Sequence, residues 1–207
     1  MRWSLRAMLG AVAIACVAVL VWDCRDEWPV GRRTGCERNP AGSLKTIGTS
    51  EEDFRDNDRD GNGVKDYWTR DVYSLFALCP PTGGVAPENM IKLTEPSLAA
   101  SDAAYWSNPT PVAADVVPTG ESVGTISPKA SYWVVAMERD EYDLPYDSGN
   151  GRNLRKFGFC TYPTSVQSGR TTYIVNETGV VWRRETGATP VLQFPREPEA
   201  EGWRVVK

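Results

Sequence analysis

Residues 56–66 (DNDRDGNGVKD) bring together the side chains whose types and spacing are best suited to chemistry. Ca²⁺ binds about six to eight oxygen ligands on a tightly turned backbone. This loop alternates oxygen-bearing side chains with other residues and has Gly63 at the turn. It therefore predicts a calcium site. The predicted ligands are Asp58, Asp60, Asn62 and Asp66, together with the backbone carbonyl of residue 64 or 65.

A second register of the same loop begins at Asp56, with Gly61 at the turn, and Asp71 could complete the ligand shell. Neither register has the bidentate acid that ends an EF-hand loop, because Tyr67 or Thr69 stands at that point. The alternative is an acidic, Asx-rich turn with no ion bound. Four carboxylates within eleven residues repel one another, which favours a neutralising ion.

Composition limits the other chemistry that is open to the chain. It has 207 residues, no histidine, and 23 Lys and Arg against 27 Asp and Glu, for a formal net charge of −4. Without imidazole there is no Ser-His-Asp triad, no Cys-His dyad and no histidine-ligated zinc. The scattered basic residues argue against nucleic acid as a partner. No pair of acids has a spacing typical of a catalytic dyad, so we expect a protein that is not an enzyme.

Four of the five cysteines follow the N-terminal apolar segment and form an even set, which is typical of disulfides in an oxidising compartment. They are Cys24, Cys36, Cys79 and Cys160. Four cysteines allow three pairings, and the sequence does not choose among them. We favour Cys24 with Cys36, which closes a short loop, and Cys79 with Cys160, which would join a helix to a strand. The alternative is four unpaired, mostly buried thiols in a cytoplasmic domain.

Aromatic residues in the second half of the chain raise the question of a carbohydrate-binding face. Such a face requires exposed rings, and packing in the core is the simpler interpretation. The residues are Tyr132, Trp133, Phe157, Phe159, Tyr162, Tyr173 and Trp182. A glycosylation sequon at 176–178 also falls within a predicted turn, which we expect to be its main role.

The N-terminal segment sets the predicted compartment. Residues 7–22 form an uncharged apolar run after two arginines. As a helix this run would span roughly 24 Å, against roughly 30 Å for the hydrocarbon core of a bilayer. An uncleaved membrane anchor over residues 1–22 is the favoured interpretation. The alternatives are acylation at Cys16, within a loose lipoprotein-box sequence, and a cleaved secretory signal.

The exported part divides into three segments by composition: a polar linker at 23–42, a head domain at 43–187 and an extended tail at 188–207. Apolar spacing predicts helices at 43–54, 71–78 and 95–105, and an irregular insertion at 109–128. We expect Phe194 and Trp203 to pin the tail to the surface of the head.

Four runs rich in β-branched and aromatic residues predict the strands of an antiparallel four-stranded β-meander. These runs are 132–139, 157–162, 171–177 and 180–185. A hairpin turn at 176–179, with Gly179 at positive φ, joins the last two. The predicted fold class is therefore α+β, with helices first and the sheet after them.

Two stretches of the sequence resemble type IV pilin-like and type II secretion pseudopilin-like proteins, especially those of the planctomycete type. The first runs from LKTI at 44–47 through SEEDFR at 50–55 to NDRDGNGVKDYWT at 57–69. The second comprises FGFCTYP at 157–163 and SGRTTYIVNETGVVW at 168–182. The latter is similar to an FGFxxYP and TFIVNxxGxV pattern of the same group and of an uncharacterised family of small secreted bacterial proteins.

The resemblance implies a membrane helix that continues into a globular α+β head, with a structural role. It implies a single-pass protein of the bacterial inner membrane, with its C-terminal domain in the periplasm or cell exterior. Other pilin or secretion-system subunits would then be its partners. The chain departs from the family after Gly10, where it reads AVAIA and lacks the Glu used in subunit docking.

Two other hypotheses come from different functional classes. One is a periplasmic calcium- or carbohydrate-binding module, either secreted or lipid-anchored, which would expose aromatic rings on one face of the sheet. The other is a carboxylate-based hydrolase, which requires two acids facing each other across a cleft at about 5 to 9.5 Å.

Overall fold

A long helix, α1 (Pro29–Asp56), opens the part of the chain that the computed structural model describes, residues 29–103 and 115–207. The sequence predicted a linker at 23–42 and a helix start at residue 43, whereas the observed helix already includes residues 29–42. Pro40 lies inside this helix, although proline removes a hydrogen bond and is unfavourable in a helix interior.

Tertiary packing stabilises α1 from Pro40 onward. Leu44 and Ile47 are fully buried and Phe54 is almost so, and their spacing places them on one face of the helix. Ala41, one turn earlier, is buried on the same face, so the apolar stripe extends back to the proline. Burial of this stripe stabilises a helix that local propensity would have ended.

Five antiparallel strands form the main sheet, in chain order across it, which confirms the α+β class and the four predicted strands. Their bounds are β2 (Tyr132–Ala136), β4 (Gly158–Pro163), β5 (Thr171–Asn176), β6 (Trp182–Glu185) and β7 (Arg204–Val205). The fifth strand, β7, comes from the predicted tail and pairs with β6.

A separate two-stranded ribbon joins a segment before β2 to the connection between β2 and β4. It consists of β1 (Tyr67–Trp68) and β3 (Arg152–Asn153), in which Trp68 stands opposite Arg152. Neither strand was predicted, because two-residue strands carry no recognisable alternation. The ribbon ties the acidic loop at 56–66 to a turn that lies far from it in the sequence.

Both faces of the main sheet are covered. One face packs on α1 in a cluster that includes Leu44, Phe159 and Val175. The other face packs under the C-terminal segment, where Phe194 and Trp203 are buried against Ile174. The prediction that these two residues pin the tail is confirmed.

The remaining helices are short. They are α2 (Ser74–Ala77), α3 (Pro96–Ala99), α4 (Thr119–Ser122) and a 3₁₀ turn at Pro87–Asn89. The predicted helices at 71–78 and 95–105 are thus longer than the helices observed, and residues 104–105 lie outside the described residues. The helix α4 falls within the insertion that was predicted to be irregular.

Two local sequence features have clear structural causes. Gly179 has φ of +70° and its N–H donates to the Asn176 carbonyl at 2.9 Å, which confirms the predicted hairpin turn. Gly158, in the FGF stretch, lies under the ring of Tyr146, where an added Cβ would come within 2.5 Å of a ring carbon. Only glycine fits at that position.

Residues 36–207 form one compact unit. The predicted anchor at 1–22 lies outside the described residues, as do Cys16 and Cys24. Among the helices of residues 29–103 and 115–207, none combines the length and apolar character needed to cross a bilayer.

Candidate functional site

The acidic loop at 56–66 connects α1 to β1 and is held by hydrogen bonds to its own backbone. The Asp58 carboxylate accepts from the N–H groups of Asn62 at 3.1 Å and Gly63 at 3.0 Å. Asp58 has φ of +48°, and Gly61 and Gly63 are also left-handed, so the chain curls tightly around that carboxylate. This geometry is the Asx-rich turn that the sequence offered as an alternative.

Arg152 provides the positive charge inside the loop. Its Nε donates to Asp60 Oδ2 at 2.5 Å, and the Asp60 side chain is only 2% exposed. The same guanidinium lies over the Trp68 ring, 5.5 Å from the ring centroid. Because the ribbon of β1 and β3 carries Arg152 to this place, the charge of the Asp60 carboxylate is balanced without an ion.

Asn62 joins two of the predicted ligands. Its Nδ2 donates to Asp60 Oδ2 at 3.0 Å and to Asp66 Oδ2 at 3.4 Å, while its Oδ1 accepts from the Val64 N–H. Asp66 Oδ1 is buried and accepts no hydrogen bond from any described residue. Burial raises the pKa of Asp66, and the neighbouring charge of Asp60 raises it further.

The two additional ligands suggested by the sequence lie elsewhere. Asp56 is exposed at the end of α1. Asp71 is buried, and its Oδ1 accepts from the N–H of Ser74, the first residue of α2, at 2.6 Å. The structure therefore brings together Asp58, Asp60, Asn62 and Asp66 but not Asp56 or Asp71. Within residues 29–103 and 115–207, no three His, Cys, Asp or Glu side chains are grouped so that they could hold a metal ion.

Glu51 is a buried acid that the sequence reasoning did not single out. It is 0% exposed, and its Oε2 accepts from the Trp68 N–H at 2.9 Å. Its Oε1 has no partner among the described residues. Burial raises the pKa of Glu51 well above its usual range, and the charges of Asp71, Glu52 and Asp66 add to the effect. The sequence did contain one indication that Glu51 is buried, because this residue lies on the apolar stripe between Ile47 and Phe54.

Glu51 should make the stability of the protein fall as the pH rises. A folded pKa above the unfolded value means that the folded state holds the proton longer, so stability declines from about pH 4.5 up to the folded pKa. We expect Glu51→Gln to raise the free energy of unfolding at pH 7 by about 1 kcal/mol or more, and to have little effect at pH 4. Urea denaturation at both pH values measures the difference.

Exposed Glu88 provides the control for this prediction, because Glu88→Gln makes the same change of charge on the surface. Its effect should stay within about 0.5 kcal/mol at both pH values. An equal effect of Glu51→Gln at pH 4 and pH 7 would contradict the assignment of this pH dependence to Glu51.

The cysteines do not form the expected pair. Cys79 and Cys160 are both buried free thiols, so the predicted Cys79–Cys160 disulfide is not present. Cys79 lies near the carbonyl of Ala86, whereas Cys160 lies on β4 and accepts from the Val191 N–H. Burial raises the pKa of the Cys160 thiol to about 12, which makes it unreactive at neutral pH. Cys24 and the side chain of Cys36 lie outside the described residues.

The aromatic residues mainly build the core. Tyr132, Phe157, Phe159 and Tyr173 are at most 3% exposed, and Trp133, Tyr162 and Trp182 are half-buried on the other face of the sheet. The interpretation as core packing is confirmed for the first four. Asn176 of the sequon is buried, and its Oδ1 accepts from both the N–H and the hydroxyl of Thr178, which confirms its role in the turn.

One further buried acid has a structural task that the sequence did not reveal. Asp102 is 0% exposed, and its Oδ2 accepts from the N–H groups of Val72 at 2.5 Å and Tyr73 at 3.0 Å. It thereby fixes the segment that leads into α2.

Comparison with family models, with curated proteins and with solved structures found no match to this chain.

Proposed function

We propose that this protein is a non-enzymatic, membrane-anchored envelope protein with a pilin- or pseudopilin-like head and a structural or assembly role. The observation that supports this most directly is helix α1. Its buried stripe of Leu44, Ile47 and Phe54 packs on an antiparallel sheet, and the helix begins at Pro29, soon after the apolar run at 7–22. A helix of this kind suits a subunit that joins a membrane segment to a folded head.

The architecture of the head fits the same role. Both faces of the sheet are covered, by α1 and by the C-terminal segment. Residues 44–69 and 157–182, which carry the family resemblance, contribute the buried half of α1 and the strands β4 and β5. These are the elements that build the core between helix and sheet, so the resemblance falls on the part of the fold that a structural subunit must preserve.

The test uses the full chain produced in a bacterial host. We expect it to remain with the membranes after washing at alkaline pH, while a variant lacking residues 1–22 is released. Protease added to spheroplasts should reach the head, and a short chemical cross-linker should join copies of the full chain into ladders. Recovery of the full chain as a soluble monomer would contradict the proposal.

A calcium-binding role for the acidic loop is the second candidate, and Asp66 is the observation that favours it. Asp66 Oδ1 is buried and lacks a hydrogen-bond partner in the described part of the chain, and Asn62 links this carboxylate to Asp60. An ion that used Asp60 would compete with Arg152 for that carboxylate. Calcium binding should therefore be stronger where the guanidinium is removed.

Thermal melting in millimolar calcium tests this role. We expect calcium to raise the melting temperature of Arg152→Met more than that of the wild type, and the gain to disappear in Arg152→Met combined with Asp66→Asn. Magnesium at the same concentration is the control for general ionic effects. If the melting temperatures of wild type and Arg152→Met are both unchanged by calcium, the loop does not bind it.

A further inference from the structure

A polar cavity of about 490 Å³ lies at the β7 edge of the main sheet, away from the acidic loop. Residues of β5, β6 and β7, together with the turn before β7, form its walls. The lining residues are Thr171, Arg183, Arg184, Glu185, Gly202 and Arg204. Three of the six are arginines and one is an acid, in a chain whose overall charge is negative.

Arg183 and Arg204 are direct neighbours across the sheet. They are paired in register between β6 and β7, so their side chains leave the same face about 5 Å apart at Cβ. Like charges in that position destabilise a sheet. Neither guanidinium has an ion pair or a hydrogen bond within the part of the chain that the structure describes, and both side chains are exposed.

Arg184 follows Arg183 in β6, so its side chain leaves the opposite face of the sheet. Its guanidinium lies over the Trp203 ring, 4.7 Å from the centroid, and Nη1 donates to the Glu201 carbonyl at 2.9 Å. Trp203 itself is buried, so this arginine is fixed by the core of the protein. The positive charge that meets an anion between the two strands therefore comes from Arg183 and Arg204.

We propose that this cavity binds a phosphoryl group, presented by free phosphate or by an anionic headgroup. Arginine matches phosphate oxygens with two parallel hydrogen bonds, and a dianion placed between Arg183 and Arg204 would remove their mutual repulsion. On this face Arg183 and Arg204 carry two positive charges and Glu185 carries one negative charge, so the cavity has a net positive charge that attracts an anion. The volume of the cavity accommodates a phosphate together with its first waters.

Calorimetric titration of the full chain in detergent tests the proposal. The probes are inorganic phosphate and glycerophosphoglycerol, which is the headgroup of phosphatidylglycerol without its acyl chains. We expect saturable binding at low ionic strength, weakened about tenfold by Arg183→Gln and by Arg204→Gln. Arg155→Gln, an exposed arginine outside the cavity, makes the same change of charge and should alter the affinity by less than about twofold.

The two probes separate the sources of the phosphoryl group. Tighter binding of inorganic phosphate assigns the cavity to free phosphate, and tighter binding of glycerophosphoglycerol assigns it to a lipid headgroup. Absence of saturable binding for both probes would overturn the proposal. Equal weakening by Arg155→Gln would also overturn it, because the binding would then reflect only the overall charge of the protein.

Discussion

Replacing Asp102 with alanine should lower the free energy of unfolding by about 3 to 4 kcal/mol. The Asp102 carboxylate accepts two backbone N–H groups, from Val72 and Tyr73, and the side chain is completely buried. Alanine leaves both donors without an acceptor in a place that water does not reach. Each lost hydrogen bond to a charged group is worth about 1.5 to 3 kcal/mol. Urea denaturation followed by tryptophan fluorescence measures the change.

Asparagine at position 102 separates the loss of the acceptor from other effects of the substitution. It keeps one carbonyl oxygen but no charge, so Asp102→Asn should cost about 1 to 2 kcal/mol, clearly less than Asp102→Ala. Exposed Asp115 is the control, and Asp115→Ala should change stability by less than about 0.5 kcal/mol. An Asp102→Ala variant as stable as this control would show that the two hydrogen bonds do not stabilise the fold.

Replacing Arg152 with methionine should cost about 3 kcal/mol of stability. Methionine keeps an unbranched apolar chain near Trp68 but leaves the Asp60 carboxylate, 2% exposed, without its cation. Breaking a buried ion pair on one side is costly because the remaining charge stays desolvated. The free energy of unfolding in calcium-free buffer, measured by urea denaturation, provides the check.

A second substitution in the same background identifies the cause. Adding Asp60→Asn to Arg152→Met removes the unpaired charge and should restore more than half of the lost stability. Arg155 lies three residues away and its side chain is exposed, so Arg155→Met should have little effect on stability. If Arg152→Met is no less stable than Arg155→Met, the ion pair does not hold the acidic loop in place.

Local patterns in the sequence were sufficient where neighbouring residues decide the conformation. The four predicted strands and the turn at Gly179 were found, because alternation of buried residues and a glycine at positive φ act over a few residues. The burial of Phe194 and Trp203 was predicted for a similar reason, because large apolar side chains within a polar segment favour burial against the rest of the fold.

Other elements depended on contacts between distant segments. The polar, proline-containing composition of 23–42 predicted a linker, yet α1 includes residues 29–42, and its buried stripe reaches back to Ala41, next to Pro40. The two-residue strands β1 and β3 have no signature of their own and exist because they pair with each other. The strand β7 was not predicted for the same reason, because it forms by pairing with β6.

The sequence by itself determined the α+β class, the carboxylate-rich loop and the absence of histidine chemistry, because these depend on residue types and short spacings. Only the tertiary structure decided which charges meet. It placed Arg152 against Asp60, 92 residues away, buried Glu51 and Asp102 beside backbone donors, and aligned Arg183 with Arg204 across two strands. Charge interactions depend on distance and burial, and folding sets both independently of separation along the chain.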